Sequence, residues 1–156
     1  MNAISKLSIG QVNSLVLLRL LIGWHFLYEG VIKVYSTTWT AKGYLLSASF
    51  FQPFFQWLAS ESILPAVDVL NIFILLVVGA SLLIGFRTKW ACLAGIGLLL
   101  LYYLAHPAFP WLPQGPSEGS YWLVNKNLIE AAALLVLALF PTEKRFGIER
   151  MFKTKK

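Results

Sequence analysis

Four long apolar stretches, each interrupted by only a few polar residues, constrain this sequence more than any other feature. The clearest runs from Val67 to Phe86 and carries only Asp68 and Asn71 as strongly polar side chains, both near its start. A helix needs about 20 predominantly apolar residues to cross the hydrocarbon core of a bilayer. Of the 156 residues 58% are hydrophobic and 13% are charged, unlike the composition of soluble domains. We therefore predict a single all-α membrane domain over 1–156, an integral membrane four-helix bundle with spans at about 12–33, 66–86, 90–106 and 121–141.

The segments between the predicted spans carry patterns of their own. Between the first two spans, one helical face collects Phe50, Phe51, Phe54, Phe55 and Leu58. This segment is too short and too polar to span, so we predict an interfacial amphipathic helix over about 44–60. The loop over 107–121 is rich in proline, glycine and aromatic residues, and two interpretations stay open. Its aromatic side chains anchor the membrane interface, or the loop covers a pocket as a lid.

The basic residues are distributed unevenly over the chain, whose 13 Lys and Arg against 7 Asp and Glu give a net charge of +6. With four spans, the side that holds both termini carries nine basic residues: Lys6, Arg87, Lys89, Lys144, Arg145, Arg150, Lys153, Lys155 and Lys156. The loops of the other side carry only Lys33, Lys42 and Lys126. Positive charge marks the cytoplasmic side, so we predict a multi-pass protein of a bacterial-type cytoplasmic (inner) membrane with both termini cytoplasmic. The basic cytoplasmic tail over 142–156 also suits anionic lipid headgroups, and the charge implies no nucleic-acid partner.

The sequence lacks the residues that several classes of cofactor need. Cys92 is the single cysteine, which excludes a disulfide framework and a cysteine-rich metal site. The sequence contains neither a glycine-rich nucleotide loop nor a paired-histidine zinc motif, so no metal or nucleotide is implied. His25 and His106 are the only histidines, and their different depths in the predicted bundle disfavour a haem held by both.

Charged side chains inside the predicted spans are expensive, at ~2.5–3.5 kcal/mol or more for each one near the centre of the bilayer. At 1.5 Å per residue, Arg19 of the first span lies about 10 Å from the inner edge and Glu130 of the fourth lies about 15 Å from it. A guanidinium group reaches across such a gap, so we predict an ion pair between Arg19 and Glu130. Glu29 and Lys33 are four residues apart on the first span, in the order that favours a second pair.

Most of the other polar side chains fall in the outer half of the predicted bundle. We interpret this crowding as a polar pocket that opens outward and suits a quinone headgroup, which needs hydrogen-bond donors, a proton acceptor and an apolar slot for its tail. The competing interpretation is a set of helix-to-helix hydrogen bonds near the water boundary. The predicted catalytic residues are Glu130, Asp68 and His25. The predicted substrate-binding residues are Arg19, Glu29, Lys33, Asn71, Tyr102, Tyr103, Lys126 and Asn127, and the predicted aromatic lining is Trp24 and Tyr28.

Three groups of residues follow a familiar pattern. They are Arg19, Gly23, Trp24, Phe26, Leu27, Gly30 and Lys33; Val67 and Asp68 with residues 82–88; and residues 101–105 with residues 124–131. The pattern resembles the DoxX-like superfamily, and the last group resembles its DoxD branch, the small subunit of thiosulfate:quinone oxidoreductase. The resemblance covers about 15–141 and implies a four-helix membrane protein of quinone-linked sulfur oxidation or of redox-stress complexes. Asn125, Lys126 and Asn127 stand where DoxD has a more acidic, histidine-bearing stretch, which argues against thiosulfate as substrate.

These observations support functions from different classes. The first is the membrane subunit of a quinone-linked oxidoreductase, with a quinone as cofactor and a second redox subunit as partner. The alternative is a non-catalytic membrane scaffold or assembly subunit of a redox or envelope complex, which would use the interfacial phenylalanine face and the basic tail. A carrier for an anionic solute ranks last, because the apolar inner half offers no exit path. Membrane lipids and further copies of this chain are the remaining partners that the sequence leaves open.

Overall fold

The computed structural model describes residues 7–113, 119–144 and 146–148. Within these residues the regular secondary structure is helical, with isolated bridges only where Tyr121 meets Leu123 and Val124, which confirms the all-α prediction for this part of the chain. In chain order the helices are α1 (Ile9–Tyr35), α2 (Lys42–Leu46), α3 (Gln52–Leu58), α4 (Leu64–Ile84), α5 (Thr88–Ala105) and α6 (Lys126–Leu139), followed by a short 3-10 helix (Thr142–Lys144).

Three of these helices, α1, α4 and α5, are long and apolar enough to cross a membrane, with 27, 21 and 18 residues. At 1.5 Å per residue they extend over about 40, 32 and 27 Å, compared with roughly 30 Å for the hydrocarbon core of a bilayer. Their bounds lie close to the first three predicted spans. The three helices indicate a membrane protein.

Two predicted helices differ from the helices in the structure. The fourth span was expected over 121–141, but α6 begins at Lys126, because Asn125 is extended and its side chain caps the helix by accepting from the backbone nitrogen of Leu128. The 14 residues of α6 extend over only about 21 Å. The single interfacial helix expected over 44–60 is instead the pair α2 and α3. The turn between them contains Phe51, whose left-handed backbone, with φ of 48°, cannot continue a helix.

The long helices close a ring around one apolar core. α1 packs against α4, α4 against α5 and α5 against α6, which also contacts α1. The centre of the core consists of fully or nearly fully buried side chains from all four helices: Phe26, Val78, Leu82, Cys92 and Leu134. A second cluster around Phe55 packs α2 and α3 against the end of α5 at Ala105. The short helices are therefore attached to the rest of the fold by burial of their own apolar side chains.

Glycine allows α1 and α4 to approach each other closely. A Cβ atom added at Gly79 of α4 would lie 2.4 Å from the backbone nitrogen of Leu27, far inside van der Waals contact. An added Cβ at Gly23 or Gly30 of α1 would lie under 3.0 Å from a leucine side chain of α4. Small residues at a helix interface are what packing between membrane helices requires, since lipid supplies no hydrophobic force between them.

The chain after α6 turns back onto the end of the fold where α4 leads into α5. After the predicted topology we call this the inner end and the opposite end the outer one. We call the described residues after α6, 142–144 and 146–148, the return segment. The backbone nitrogen of Ile148 donates to the carbonyl oxygen of Ile84 at the end of α4 (3.0 Å), and the hydroxyl of Thr88 at the start of α5 donates to Glu143 Oε2 (2.5 Å). The return segment therefore adds buried polar groups to a region that the sequence suggested was almost entirely apolar.

Arg19 binds this return segment, so the predicted Arg19–Glu130 ion pair is wrong. Its Nη1 donates to the Thr142 hydroxyl (3.0 Å) and its Nη2 donates to the carbonyl oxygen of Phe146 (2.7 Å). The depth estimate considered only partners on neighbouring helices, whereas the return segment brings neutral oxygen acceptors closer to the guanidinium. Arg19 is buried in this inner cluster and takes no part in the outer site.

Candidate functional site

A polar cavity of about 330 Å³ lies between the outer parts of α1, α4 and α5, the start of α6 and the loop that precedes α2. We call it the polar chamber. It is lined by His25, Phe26, Glu29, Lys33, Trp39, Thr40, Ala41, Tyr44, Asn71, Leu75, Leu99, Tyr102, Lys126 and Asn127. A cavity of this size, with apolar walls and a few converging polar groups, is typical of a small-molecule site.

One wall of the chamber carries a contact between an imidazole and a carboxylate. His25 Nδ1 of α1 lies 2.7 Å from Glu130 Oε1 of α6, and the Glu130 side chain is the more buried of the two, at 13% against 43% exposed. The position of Glu130 follows from the start of α6, because the Asn125 cap fixes the first turn of that helix. Glu130 therefore orients the histidine while the histidine lines the chamber.

A second charged pair, Glu29 and Lys33, lies on the same side of α1. Glu29 is about one helical turn after His25, and Lys33 is about two turns after it. Lys33 Nζ is 2.5 Å from Glu29 Oε2, which is the i, i+4 pair that the sequence predicts. The same ammonium group lies 5.5 Å from the centre of the Trp39 ring, within the range of a cation–π interaction. Lys126 acts electrostatically on both His25 and Glu29. The chamber thus combines two lysines, a histidine and a carboxylate in its lining.

The opposite wall is built from amide and phenol groups. Asn71 Nδ2 of α4 donates to the Tyr102 hydroxyl of α5 (2.6 Å), and the Tyr44 hydroxyl donates to the carbonyl oxygen of Tyr102 (3.1 Å). The second polar atom of the amide, Asn71 Oδ1, is buried and has no hydrogen-bond partner among the described residues. Since buried polar atoms almost always have partners, this oxygen is available to a ligand or an ordered water.

The loop that covers the chamber is held by two side chains outside the cavity. Asp68 Oδ1 accepts a hydrogen bond from the backbone nitrogen of Ala41 (2.8 Å), just before α2 begins. His106 Nε2 lies 3.2 Å from the carbonyl oxygen of Tyr44, inside α2. These contacts place Trp39, Ala41 and Tyr44 against the helices and give Asp68 a positioning role, while its catalytic role stays a prediction.

The structure gathers seven of the predicted site residues in the chamber lining and separates the others from it. The lining contains His25, Glu29, Lys33, Asn71, Tyr102, Lys126 and Asn127. Glu130 reaches the chamber through His25, whereas the Tyr103 hydroxyl points away and donates to the carbonyl oxygen of Leu123 (2.7 Å). Trp24 and Tyr28, the predicted aromatic lining, instead lie on the outer surface of α1 with 61% and 53% of their side chains exposed. Their positions on α1 turn them away from the neighbouring helices and toward the surroundings.

Apart from the apolar Phe26, Leu75 and Leu99 of the long helices, four lining residues have no counterpart among the predicted site residues: Trp39, Thr40, Ala41 and Tyr44. All four belong to the loop and short helix after α1, where the sequence has no periodicity that would indicate a fold over the bundle. Asp68 was the one signal in the sequence for this loop, since a carboxylate near the start of a span can accept a hydrogen bond from the backbone of a loop that folds over it. The aromatic lining of the site therefore comes from Phe26 of α1, from Trp39 and Tyr44 after that helix, and from Tyr102 of α5.

A second cavity, of about 220 Å³, adjoins the chamber. We call it the apolar groove. It is lined by Ala41, Tyr44, Leu45, Phe54, Phe55, Leu58, Val67, Leu70, Asn71, Ile74, Leu98, Leu101 and Tyr102. The two cavities have Ala41, Tyr44, Asn71 and Tyr102 in common, so they meet at the amide–phenol wall.

Comparisons of this chain with family models, with curated proteins and with solved structures found no match.

Proposed function

We propose that this chain is the membrane subunit of a quinone-linked oxidoreductase, and that the polar chamber binds the quinone ring. The observation that carries the proposal is the contact between His25 and Glu130 at the wall of a cavity large enough for a single ring. A hydrogen-bonded imidazole and carboxylate can hold a proton and pass it to a ligand. The resemblance to the DoxX-like superfamily agrees with this assignment.

The lining of the chamber fits the chemistry of a quinone. A quinone ring has two carbonyl oxygens, which accept hydrogen bonds, and two flat apolar faces. Lys126 is a donor in the lining, and the apolar faces would lie against Phe26 and Leu99. Asn71 Oδ1, the buried acceptor that lacks a partner among the described residues, would accept from a hydroxyl group of the reduced ring.

When bound, a quinone supplies the redox chemistry by taking up two electrons and two protons. The residues of this chain bind the ring and manage the protons. His25, oriented by Glu130, holds a proton at the chamber wall, and the positive charge of Lys126 favours negative charge on a nearby ring oxygen. The electrons come from a second redox subunit, which the chain does not itself contain.

We infer that α6 completes four spans and that both termini lie in the cytoplasm, which puts the chamber in the outer half of the membrane. The excess of basic residues on one side supports this orientation. Labelling single cysteines in a Cys92→Ser background tests it, with Lys89→Cys in the first turn of α5 and Trp111→Cys after α5, both at exposed positions. A membrane-impermeant maleimide added to intact cells should label Trp111→Cys but not Lys89→Cys. The reverse pattern would mean the opposite orientation.

Tryptophan fluorescence tests quinone binding directly, because Trp39 lines the chamber and Trp24 lies outside it. A short-chain quinone added to the purified protein in detergent should quench the fluorescence and reach saturation. Trp39→Phe should remove most of the saturable quenching, and the matched control Trp24→Phe should keep it. Quenching that rises without saturation, or that is equal in both variants, would refute binding in the chamber.

A further inference from the structure

The polar chamber and the apolar groove are adjoining cavities with chemically different linings. They share Ala41, Tyr44, Asn71 and Tyr102 as a common wall. Beyond this shared wall, the groove is lined by apolar side chains from α3, α4 and α5, such as Leu58, Ile74 and Leu98. A ligand that filled both cavities would need a compact polar head and an apolar extension.

The groove also opens on the outer surface of the protein. Its rim includes Leu70 of α4 and Leu101 of α5, which are 57% and 44% exposed, and Phe54 of α3, which is exposed as well. α4 and α5 are two of the three helices that can cross a membrane, so the exposed sides of Leu70 and Leu101 face acyl chains. The opening of the groove therefore leads to the lipid and not to water.

We propose that the groove holds the isoprenoid tail of a quinone whose ring occupies the polar chamber, and that the quinone enters the site sideways from the bilayer through this groove. The inference rests on the proposed function and adds the path and the binding site of the tail. A tailed quinone is dissolved among lipid chains, where the hydrophobic effect does not favour its transfer to another apolar surface. Binding then depends on the polar groups that the chamber offers to the ring and on close packing in the groove.

The shared wall fixes where the ring ends and the tail begins. Tyr102 is held by Asn71 through its hydroxyl and by Tyr44 through its carbonyl oxygen, so three elements of the fold converge on one side chain. The Tyr44 and Tyr102 rings lie edge to face with centres 5.8 Å apart. A planar ring in the chamber would lie on one side of this pair, and the tail in the groove would lie on the other side.

Two matched pairs of substitutions test the tail site. Leu101→Trp places bulk in the groove, and Leu100→Trp places the same bulk on the neighbouring position of α5, which is 41% exposed and outside both cavities. Leu70→Trp and Val69→Trp form a second pair on α4, with Val69 69% exposed and outside the groove. All four positions are exposed, so a tryptophan at any of them leaves the core intact.

The probe is a quinone that carries a photoreactive group on its isoprenoid tail, added to the full-length protein in lipid nanodiscs. We expect crosslinks in the peptides that contain Phe54, Leu70 and Leu101. Leu101→Trp and Leu70→Trp should lower this labelling at least fivefold, while the control variants stay within twofold of the unmodified protein. The concentration of a tail-free quinone that gives half-maximal quenching should be unchanged in all four variants, because the chamber is untouched. The added tryptophan alters the total fluorescence but not this concentration.

Equal labelling of a groove variant and its control, or crosslinks that fall outside the groove, would overturn the tail site. If the tail-free quinone still quenches Trp39 to saturation in that case, the proposed function stands and only the groove is refuted. If neither quinone binds in a saturable manner, both proposals fail.

Discussion

Arg19 on α1 donates a 2.7 Å hydrogen bond to the carbonyl oxygen of Phe146, which follows it by 127 positions in the chain. The bond joins the first long helix to the return segment after the last one. With the Thr142 hydroxyl as a second acceptor, it satisfies two of the three guanidinium nitrogens of a buried arginine. The inner end of the fold is therefore held by a buried cation whose hydrogen-bond acceptors are neutral, with the Glu143 carboxylate acting on it electrostatically.

Replacing Arg19 with methionine keeps the length of the side chain but removes both hydrogen bonds. Hydrogen bonds to a charged group contribute about 1.5–3 kcal/mol each, and the substitution also relieves the cost of burying the charge. We expect a net decrease of about 2 kcal/mol in the free energy of unfolding, measured by denaturant titration in detergent. Lys89→Met, at an exposed position of the same end, is the control and should change stability little. Equal effects of both substitutions would refute a structural role for Arg19.

The contact between His25 and Glu130 can be measured with a double-mutant cycle. His25→Ala, Glu130→Ala and the double variant should show a coupling energy of about 1 kcal/mol in stability, since a charge-assisted hydrogen bond is weakened where the histidine is partly exposed. In the quinone titration, Glu130→Gln should raise the quinone concentration at half-saturation about tenfold, because the imidazole loses its anionic partner. A coupling energy near zero would mean that the two side chains act independently.

Two substitutions of Asp68 distinguish a positioning role of this residue from a catalytic one. Its Oδ1 accepts from the backbone nitrogen of Ala41, and an asparagine at this position retains an oxygen that can do the same. We expect Asp68→Asn to keep nearly normal quinone affinity and Asp68→Ala to lose several-fold, because the loop that carries Trp39 and Tyr44 is released. Trp39 fluorescence reports both effects. If Asp68→Asn were as damaging as Asp68→Ala, the carboxylate itself would be required.

We expect two glycine-to-alanine substitutions to have opposite effects on stability. Gly79→Ala would place a methyl group 2.4 Å from the backbone of Leu27, and separating α1 from α4 should cost roughly 1–3 kcal/mol. Gly97 of α5 has open space around it, so Gly97→Ala should stabilise the helix by up to about 1 kcal/mol through its higher helix propensity. Thermal unfolding of the two purified variants, compared with the unmodified protein, measures both. A stabilised Gly79→Ala variant would contradict the close helix contact.

The sequence predicted the features that depend on residues close together in the chain. The apolar runs of α4 and α5 and the Glu29–Lys33 pair follow from composition and from helical spacing alone. The partner of Arg19 could not be predicted in this way, since its acceptors lie in a segment whose return depends on tertiary packing. The start of α6 and the break at Phe51 differ from the prediction for another reason. Local backbone geometry ends a helix there, although the hydrophobic pattern alone would continue it.

For the chamber, the sequence predicted which polar residues share a helix face but not which element covers them. His25, Glu29 and Lys33 follow one another at intervals of four on α1, and they line one cavity. The position of the loop with Trp39 depends on contacts between residues distant in the chain, such as the hydrogen bond between Ala41 and Asp68, which are 27 residues apart. Trp24 and Tyr28 occur at the same depth as the site but on the other side of α1, and depth alone does not distinguish the two sides.

The contact between Arg19 and the return segment also has a consequence for biosynthesis. Arg19 leaves the ribosome near the beginning of translation, whereas Thr142 and Phe146 are synthesised after all the helices. During that interval the first helix carries an unpartnered cation, for which water or lipid phosphate is the available partner. The inner end of the fold can therefore close only once the last helix has been made, and a nascent chain stalled before Thr142 would remain open there.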